Sequence, residues 1–106
     1  MQGSDGWHRV AALAELIADA PFPAKLGGTP IALYRVGDRV YALDDVCTHE
    51  LALLSQGFVE GGAVECPLHG ARFDIATGRC LAPPATENLR VYEVRVEGDE
   101  IFVRAS

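Results

Sequence analysis

Two short stretches of the chain each place a cysteine close to a histidine. The first is Cys47-Thr48-His49, the second is Cys66-Pro67-Leu68-His69, and residues 50–65 separate them. Each pair offers one thiolate sulfur and one imidazole nitrogen, which are donors that zinc and iron centres use. The chain has three cysteines and three histidines, and four of these six residues fall in the two pairs. The spacing therefore favours a four-ligand metal centre held by two loops.

Three interpretations of the paired motifs compete. Buried cysteines beside ordinary polar histidines would need no metal, but the repeated pairing is against this. A structural zinc of Cys2His2 type would accept the donors, although the order Cys, His, Cys, His departs from the familiar fingers. A [2Fe–2S] centre in which two histidines replace two cysteines on one iron fits the alternating order best. Each loop would then supply sulfur to one iron and nitrogen to the other.

The composition bounds the kind of protein. A length of 106 residues with 49% hydrophobic residues suits a single domain, residues 1–106, with one modest core. The formal net charge of −6 argues against a nucleic-acid partner, whose phosphates need a basic surface. The same charge would steer the chain toward a basic partner protein.

The chain is predicted to be soluble and cytoplasmic. Its polar start lacks the features of a secretory signal, and the apolar stretch at residues 10–20 is interrupted by Glu15 and Asp19. Three cysteines are too few for a disulfide-rich secreted framework.

Strand and turn signals predict an all-β fold, a sandwich or barrel of short antiparallel strands. Two-residue hairpin turns are expected at Gly27-Gly28, Gly37-Asp38, Gly61-Gly62 and Gly98-Asp99. A strand is expected around His8, and a short helical turn at residues 13–19 that Pro21 and Pro23 would end. Residues 45–85 are irregular and carry all four candidate ligands, which predicts a small metal-binding cap on a β base.

The motifs resemble those of the Rieske family. The resemblance is carried by "CTHE", "CPLHG", "ARFDIATG" and "APPA", and it runs from Trp7 to the final strand. The phrases "LALLSQGFVEG" and "LAPPATENLRVYEV" are similar to those of the small ferredoxins of bacterial aromatic-ring-hydroxylating dioxygenase systems. Such a resemblance implies a one-electron carrier, not an enzyme, that moves electrons from a flavin-containing ferredoxin reductase to a terminal oxygenase.

The resemblance also implies roles for residues. Cys47 and Cys66 would bind the buried iron of a Rieske [2Fe–2S] cluster, and His49 and His69 would bind the outer iron. Residues Pro83 and Pro84 would lie in a loop that shields the cluster. Two alternatives stay open: a small Rieske subunit of another oxidoreductase such as assimilatory nitrite reductase, and a zinc-stabilised interaction module.

Four positions depart from the high-potential members of the family. Ala52 and Leu68 stand where those members have a disulfide that braces the two loops, and Ala71 and Phe73 stand where they have hydroxyl donors to cluster sulfurs. Fewer donors favour the oxidised cluster, which predicts a reduction potential on the order of −150 mV.

Several other residues are given expectations of their own. Cys80 is expected to be a buried thiol with no ligand role, and His8 a structural or surface residue. Thr48 and Ser55 are expected to form hydrogen bonds within the first loop. Gly57 and Gly70 should permit backbone conformations or close approaches that a Cβ would hinder. Candidate partner-docking carboxylates are Glu50, Glu60 and Glu65.

Overall fold

The structure is a computed structural model that describes residues 6–48, 52–68, 70–82 and 87–105. Within these ranges the chain is built from strands and two single-turn 3₁₀ helices, Leu13–Glu15 and Leu54–Gln56. The strands are β1 (His8–Ala12), β2 (Phe22–Leu26), β3 (Thr29–Val36), β4 (Arg39–Asp44), β5 (Phe58–Glu60), β6 (Ala63–Glu65), β7 (Arg72–Asp74), β8 (Cys80–Ala82), β9 (Val91–Glu97) and β10 (Glu100–Ala105). No helix among the described residues is long and apolar enough to cross a bilayer.

The strands form two antiparallel sheets. The larger sheet has the order β1-β10-β9-β4-β3-β2, and contacts between β1 and β2 bring its two edges together into a nearly closed barrel. The smaller sheet has the order β5-β6-β7-β8. The predicted all-β fold is therefore confirmed. The boundary of a cluster-binding subdomain at about residues 45–85 stays a prediction, and the smaller sheet occupies residues 58–82 within it.

The four predicted hairpin turns are all present. They connect β2 to β3, β3 to β4, β5 to β6 and β9 to β10. The first residue of the Gly37-Asp38 and Gly98-Asp99 turns has φ of 64° and 60°, a left-handed conformation that glycine adopts without steric cost. Glycine at these positions therefore fixes where the paired strands reverse.

The prediction that prolines end the helical turn was wrong. The turn is a 3₁₀ helix that ends at Glu15, well before Pro21, and Pro23 lies inside β2. Because β2 is at the end of the sheet order, a residue without an N–H is tolerated there.

Two buried side-chain groups lie on opposite faces of β3 and β4. Ile31 and Leu33 point into the barrel with Ile101 and Val103. Ala32 and Tyr34 point the other way and pack in the second group, which contains the cysteines of both paired motifs. A strand buried on both faces is typically continuously apolar, as residues 31–34 are. The outer face of β3 and β4 therefore packs against the loops that carry the paired motifs.

Candidate metal centre

The first loop leaves β4 and folds back on itself as a narrow hairpin. The N–H of Leu54 donates to the carbonyl of Asp45 at 2.7 Å, and the N–H of Cys47 donates to the carbonyl of Ala52 at 2.9 Å. Between these, Val46 and Leu53 form an antiparallel bridge. This ladder fixes the backbone on both sides of Cys47.

Asp45 adds side-chain bonds to the same ladder. Its Oδ1 accepts from the N–H of Ser55 at 2.6 Å, and its Oδ2 accepts from the Ser55 hydroxyl at 2.7 Å. Its own N–H donates to the carbonyl of Pro30 at 3.2 Å, at the start of β3. Asp45 therefore ties the barrel to both arms of the first loop. The hydrogen bond predicted for Ser55 within this loop is present.

The second loop connects β6 to β7 in the smaller sheet. Glu65 pairs with Arg72 at its base, and the N–H of Cys66 donates to the carbonyl of Ala71 at 2.7 Å. The N–H of Gly70 donates back to the carbonyl of Cys66 at 3.3 Å. Gly70 has φ of 75°, so the predicted need for a glycine at this bend is confirmed.

The two loops present their cysteines in the same way. In each, the cysteine N–H bonds to the carbonyl five residues later, which closes a short loop that contains the motif histidine in the sequence. Cys47 and Cys66 are 4% and 1% exposed and belong to one buried group with Leu54, Val64 and Phe73. All three cysteines of the chain lie in the described part, and none forms a disulfide. Two thiol groups thus lie in one water-excluded core.

A glycine lets the two loops approach closely. A Cβ on Gly57 would lie 2.0 Å from the carbonyl oxygen of Glu65, the residue before Cys66. No real side-chain carbon tolerates such a contact, so the return arm of the first loop can contact β6 only through a glycine. The close approach predicted for Gly57 is confirmed. This packing links the loops where Ala52 and Leu68 leave no disulfide.

A third segment joins the site from the strand junction between β8 and β9. The Thr48 hydroxyl donates to the carbonyl of Glu87 at 2.9 Å, and the N–H of Cys80 donates to Oδ1 of Asn88 at 2.8 Å. The N–H of Leu89 donates to the carbonyl of Gly78 at 2.8 Å. The prediction that Thr48 bonds within its own loop was wrong, because its partner lies on this third segment.

The structure describes only some of the remaining predicted residues. His49, His69, Glu50, Pro83 and Pro84 lie outside the described residues. Glu60 is exposed on β5, Glu65 is half-buried on β6, and His8 is exposed on β1. Cys80 is half-buried on β8, less buried than expected, with its sulfur 3.7 Å from the carbonyl oxygen of Ala82.

Sequence reasoning missed the polar groups behind Cys47. Asp45 is 2% exposed, and Tyr34, at 1%, has a hydroxyl with no hydrogen-bond partner among the described residues. Burial, together with the negative charge of Asp45, raises the pKa of Tyr34 above its ordinary value. The sequence signal for Asp45 was its position two residues before the first candidate ligand.

The donor set suits an iron–sulfur cluster. Two cysteines in one water-excluded core, each beginning a short loop and the two loops anchored on different sheets, meet the needs of a buried iron. In the sequence, the motif histidines follow these cysteines by two and three residues. A small antiparallel β protein with this pair of loops belongs to the class of iron–sulfur domains.

Comparison with known proteins identifies the family. A model of the Rieske [2Fe-2S] domain matches residues 6–93, and the chain belongs to this family. The chain is 40% identical over 103 residues to the naphthalene 1,2-dioxygenase system ferredoxin component of Pseudomonas aeruginosa, covering 97% of this chain and 99% of the relative.

Two solved structures are similar along more than nine-tenths of the chain. The ferredoxin of carbazole 1,9a-dioxygenase from Nocardioides aromaticivorans IC177 superposes with a TM-score of 0.90 and 37% identity, covering 95% of this chain and 99% of that one. A chain in the complex of reduced oxygenase and oxidized ferredoxin in carbazole 1,9a-dioxygenase superposes with a TM-score of 0.86 and 39% identity, covering 93% of both. The chain is accordingly a ferredoxin-type electron carrier with a Rieske [2Fe–2S] cluster, not an enzyme.

Proposed function

We propose that the chain carries single electrons from a flavin-containing ferredoxin reductase to the terminal oxygenase of an aromatic-ring-hydroxylating dioxygenase, with Cys47, His49, Cys66 and His69 as the cluster ligands. The observation that carries the ligand assignment is the pair of equivalent loops, each closed by a bond from the cysteine N–H to the carbonyl five residues later. The names of the similar ferredoxins support the partners.

The buried residues of the site would hold the cluster, and the exposed residues would contact the partners. When bound, a Rieske cluster accepts and releases one electron. Cys47 and Cys66 would anchor it inside the buried group, where water is excluded. Leu53 and Leu68 lie on the two loops that carry the paired motifs, and they are 37% and 61% exposed. They would give these loops an apolar surface for contact with a partner.

The two alternatives receive less support. A zinc-stabilised module is set aside because the chain belongs to a [2Fe-2S] family. A nitrite reductase subunit is not favoured, because the similar proteins described above are ferredoxins of dioxygenase systems.

The ligand assignment is tested by changing each motif residue separately. Cys47→Ser, His49→Ala, Cys66→Ser and His69→Ala are each expected to lose bound iron and acid-labile sulfide and the paramagnetic signal that follows dithionite reduction. Cys80→Ser is the matched control and is expected to keep all three. A motif variant that retains the wild-type iron content and signal would overturn the assignment of that residue.

The partners are tested by reconstitution. The purified holoprotein is combined with the reductase and oxygenase of a naphthalene dioxygenase system, and product formation is followed with and without it. Product that depends on the added protein supports the proposal. Electron delivery to a sirohaem nitrite reductase, with none to the oxygenase, would replace it with the alternative.

We also propose that the protein acts in the cytoplasm. Three cysteines without a disulfide suit a reducing compartment. Cell fractionation is expected to recover it with cytoplasmic markers, and recovery in a periplasmic fraction would contradict this location.

A further inference from the structure

One acidic side chain in the described part of the chain is buried. The carboxylate of Asp45 is almost fully excluded from water, at 2% residue exposure. Its two hydrogen-bond donors both belong to Ser55, and both are neutral. Among the described residues, no lysine or arginine forms an ion pair with it.

Keeping such a charge is costly. A buried ionised carboxylate loses its hydration, and neutral donors recover only part of that free energy. An asparagine would accept the same bond from the Ser55 N–H without the penalty. Retention of a charge at this position therefore points to something nearby that responds to it.

The nearby group is the first candidate ligand. Asp45 is two residues from Cys47, so their Cα atoms are at most about 7 Å apart. Burial weakens dielectric screening along this path, and mobile ions cannot enter between the two.

We propose that Asp45 is a positioning residue with two effects: with Ser55 it clamps the Cys47 loop, and its fixed negative charge holds the reduction potential of the cluster low. Adding an electron makes the cluster more negative, and a buried negative charge beside a ligand opposes that addition. The clamp also serves where the bracing disulfide is absent. The inference rests on the proposed ligand set.

The test uses holoprotein whose cluster spectrum has first been recorded, so that failure of the ligand assignment is seen before any variant is compared. Asp45→Asn removes the charge and preserves the shape. At a fixed ambient potential, its ratio of reduced to oxidised protein is expected to rise about tenfold, which equals about 59 mV for a one-electron couple. The rise should persist at high salt, because the charge is buried. A ratio equal to or below that of the wild type would overturn the proposal.

Asp44→Asn is the matched control. Asp44 is the preceding residue, carries the same charge, is half-buried and accepts a hydrogen bond from the Tyr92 hydroxyl, whose ring belongs to the barrel group. Its reduced-to-oxidised ratio is expected to rise less than that of Asp45→Asn. An equal rise would show that net charge, rather than the buried position, sets the potential, and would overturn the proposal.

Ser55→Ala separates the charge from the clamp. It keeps the carboxylate and removes one donor, so the cluster should be lost faster to a chelator while the reduced-to-oxidised ratio stays or falls. A rise like that of Asp45→Asn would assign the effect to loop geometry and overturn the charge role. Should Asp45→Asn not retain its cluster, a fall in the ratio of Ser55→Ala, in which the carboxylate loses a donor, supports the charge role, and an unchanged or higher ratio overturns it.

Discussion

At the scale of single residues, the site depends on positions where one atom more would not fit. Gly57 is such a position, because its missing side chain lets the first loop contact the carbonyl of Glu65. Gly28, in the turn between β2 and β3, has open space where a Cβ would be. The two glycines therefore differ in what an added methyl group would meet, which makes them a matched pair.

Gly57→Ala is expected to lower the free energy of unfolding by about 1–3 kcal/mol, as overpacking does, and to speed the loss of the cluster. The loops that carry Cys47 and Cys66 would be forced apart. Gly28→Ala is expected to change neither quantity. Denaturant unfolding and the decay of visible absorbance measure the two effects. Equal behaviour of the two variants would show that the loops adjust without strain.

Tyr92 makes stability depend on pH at the alkaline end. Burial, then its hydrogen bond to Asp44 and the charge of that carboxylate, raise the pKa of Tyr92 to about 12. The unfolded chain releases this proton at the ordinary pKa, about 10, while the folded chain keeps it. The contribution to stability is therefore complete below pH 10 and is lost as the pH rises to about 12.

Tyr92→Phe is expected to flatten this decline in stability without removing it, because Tyr34 also has a raised pKa. Chemical denaturation at several alkaline pH values gives the slope of stability against pH. A variant with the same slope as the wild type would show that Tyr92 titrates alike in the folded and unfolded chains.

At the scale of elements, the sequence predicted what local rules determine. Glycine-containing turns placed the four hairpins, and the paired motifs placed the two loops. Contacts between distant segments had no local signal. Nothing in the sequence around Gly57 indicates that its neighbour is Glu65, and the clamp from Asp45 to Ser55 exists only because the first loop folds into a hairpin. The proline error has the same origin, because the sheet partner of β2 decided the conformation of Pro23.

The junction between β8 and β9 gives a prediction at this scale. Asn88 accepts a hydrogen bond from the Cys80 N–H and so joins the two sides of a stretch of sequence that includes the prolines expected to shield the cluster. Asn88→Ala would leave that N–H without its acceptor, at a cost of about 1 kcal/mol. We expect faster bleaching of the cluster by a chelator in this variant. Asn88→Asp keeps an acceptor oxygen and should stay close to the wild type. Bleaching of Asn88→Ala at the wild-type rate would show that the Cys80–Asn88 bond does not control access to the cluster.

At the scale of the whole molecule, the two sheets hold the cysteine core, while Leu53 and Leu68 of the two loops are partly exposed. Trp7 shows how the barrel is stabilised away from the site. The guanidinium carbons of Arg95 and Arg104 each lie 4.5 Å from the centre of its ring, and each arginine also pairs with a glutamate. Each arginine–glutamate pair is neutral as a whole, so these pairs leave the net charge of −6 unchanged.

The acidic surface gives the last prediction. Because the net charge is −6, association with a basic partner surface should be faster at low ionic strength. Electron-transfer rates to the reductase and the oxygenase are expected to fall steeply as salt rises from about 10 mM to about 1 M, as the Debye length shrinks. Stopped-flow absorbance of the cluster measures them.

Glu60 is exposed on β5 and was predicted to contact partners. Glu60→Lys should weaken the salt dependence more than Asp99→Lys, which lies in the turn between β9 and β10. Rates independent of salt would show that apolar contact at the loop ends, rather than charge, brings the partners together.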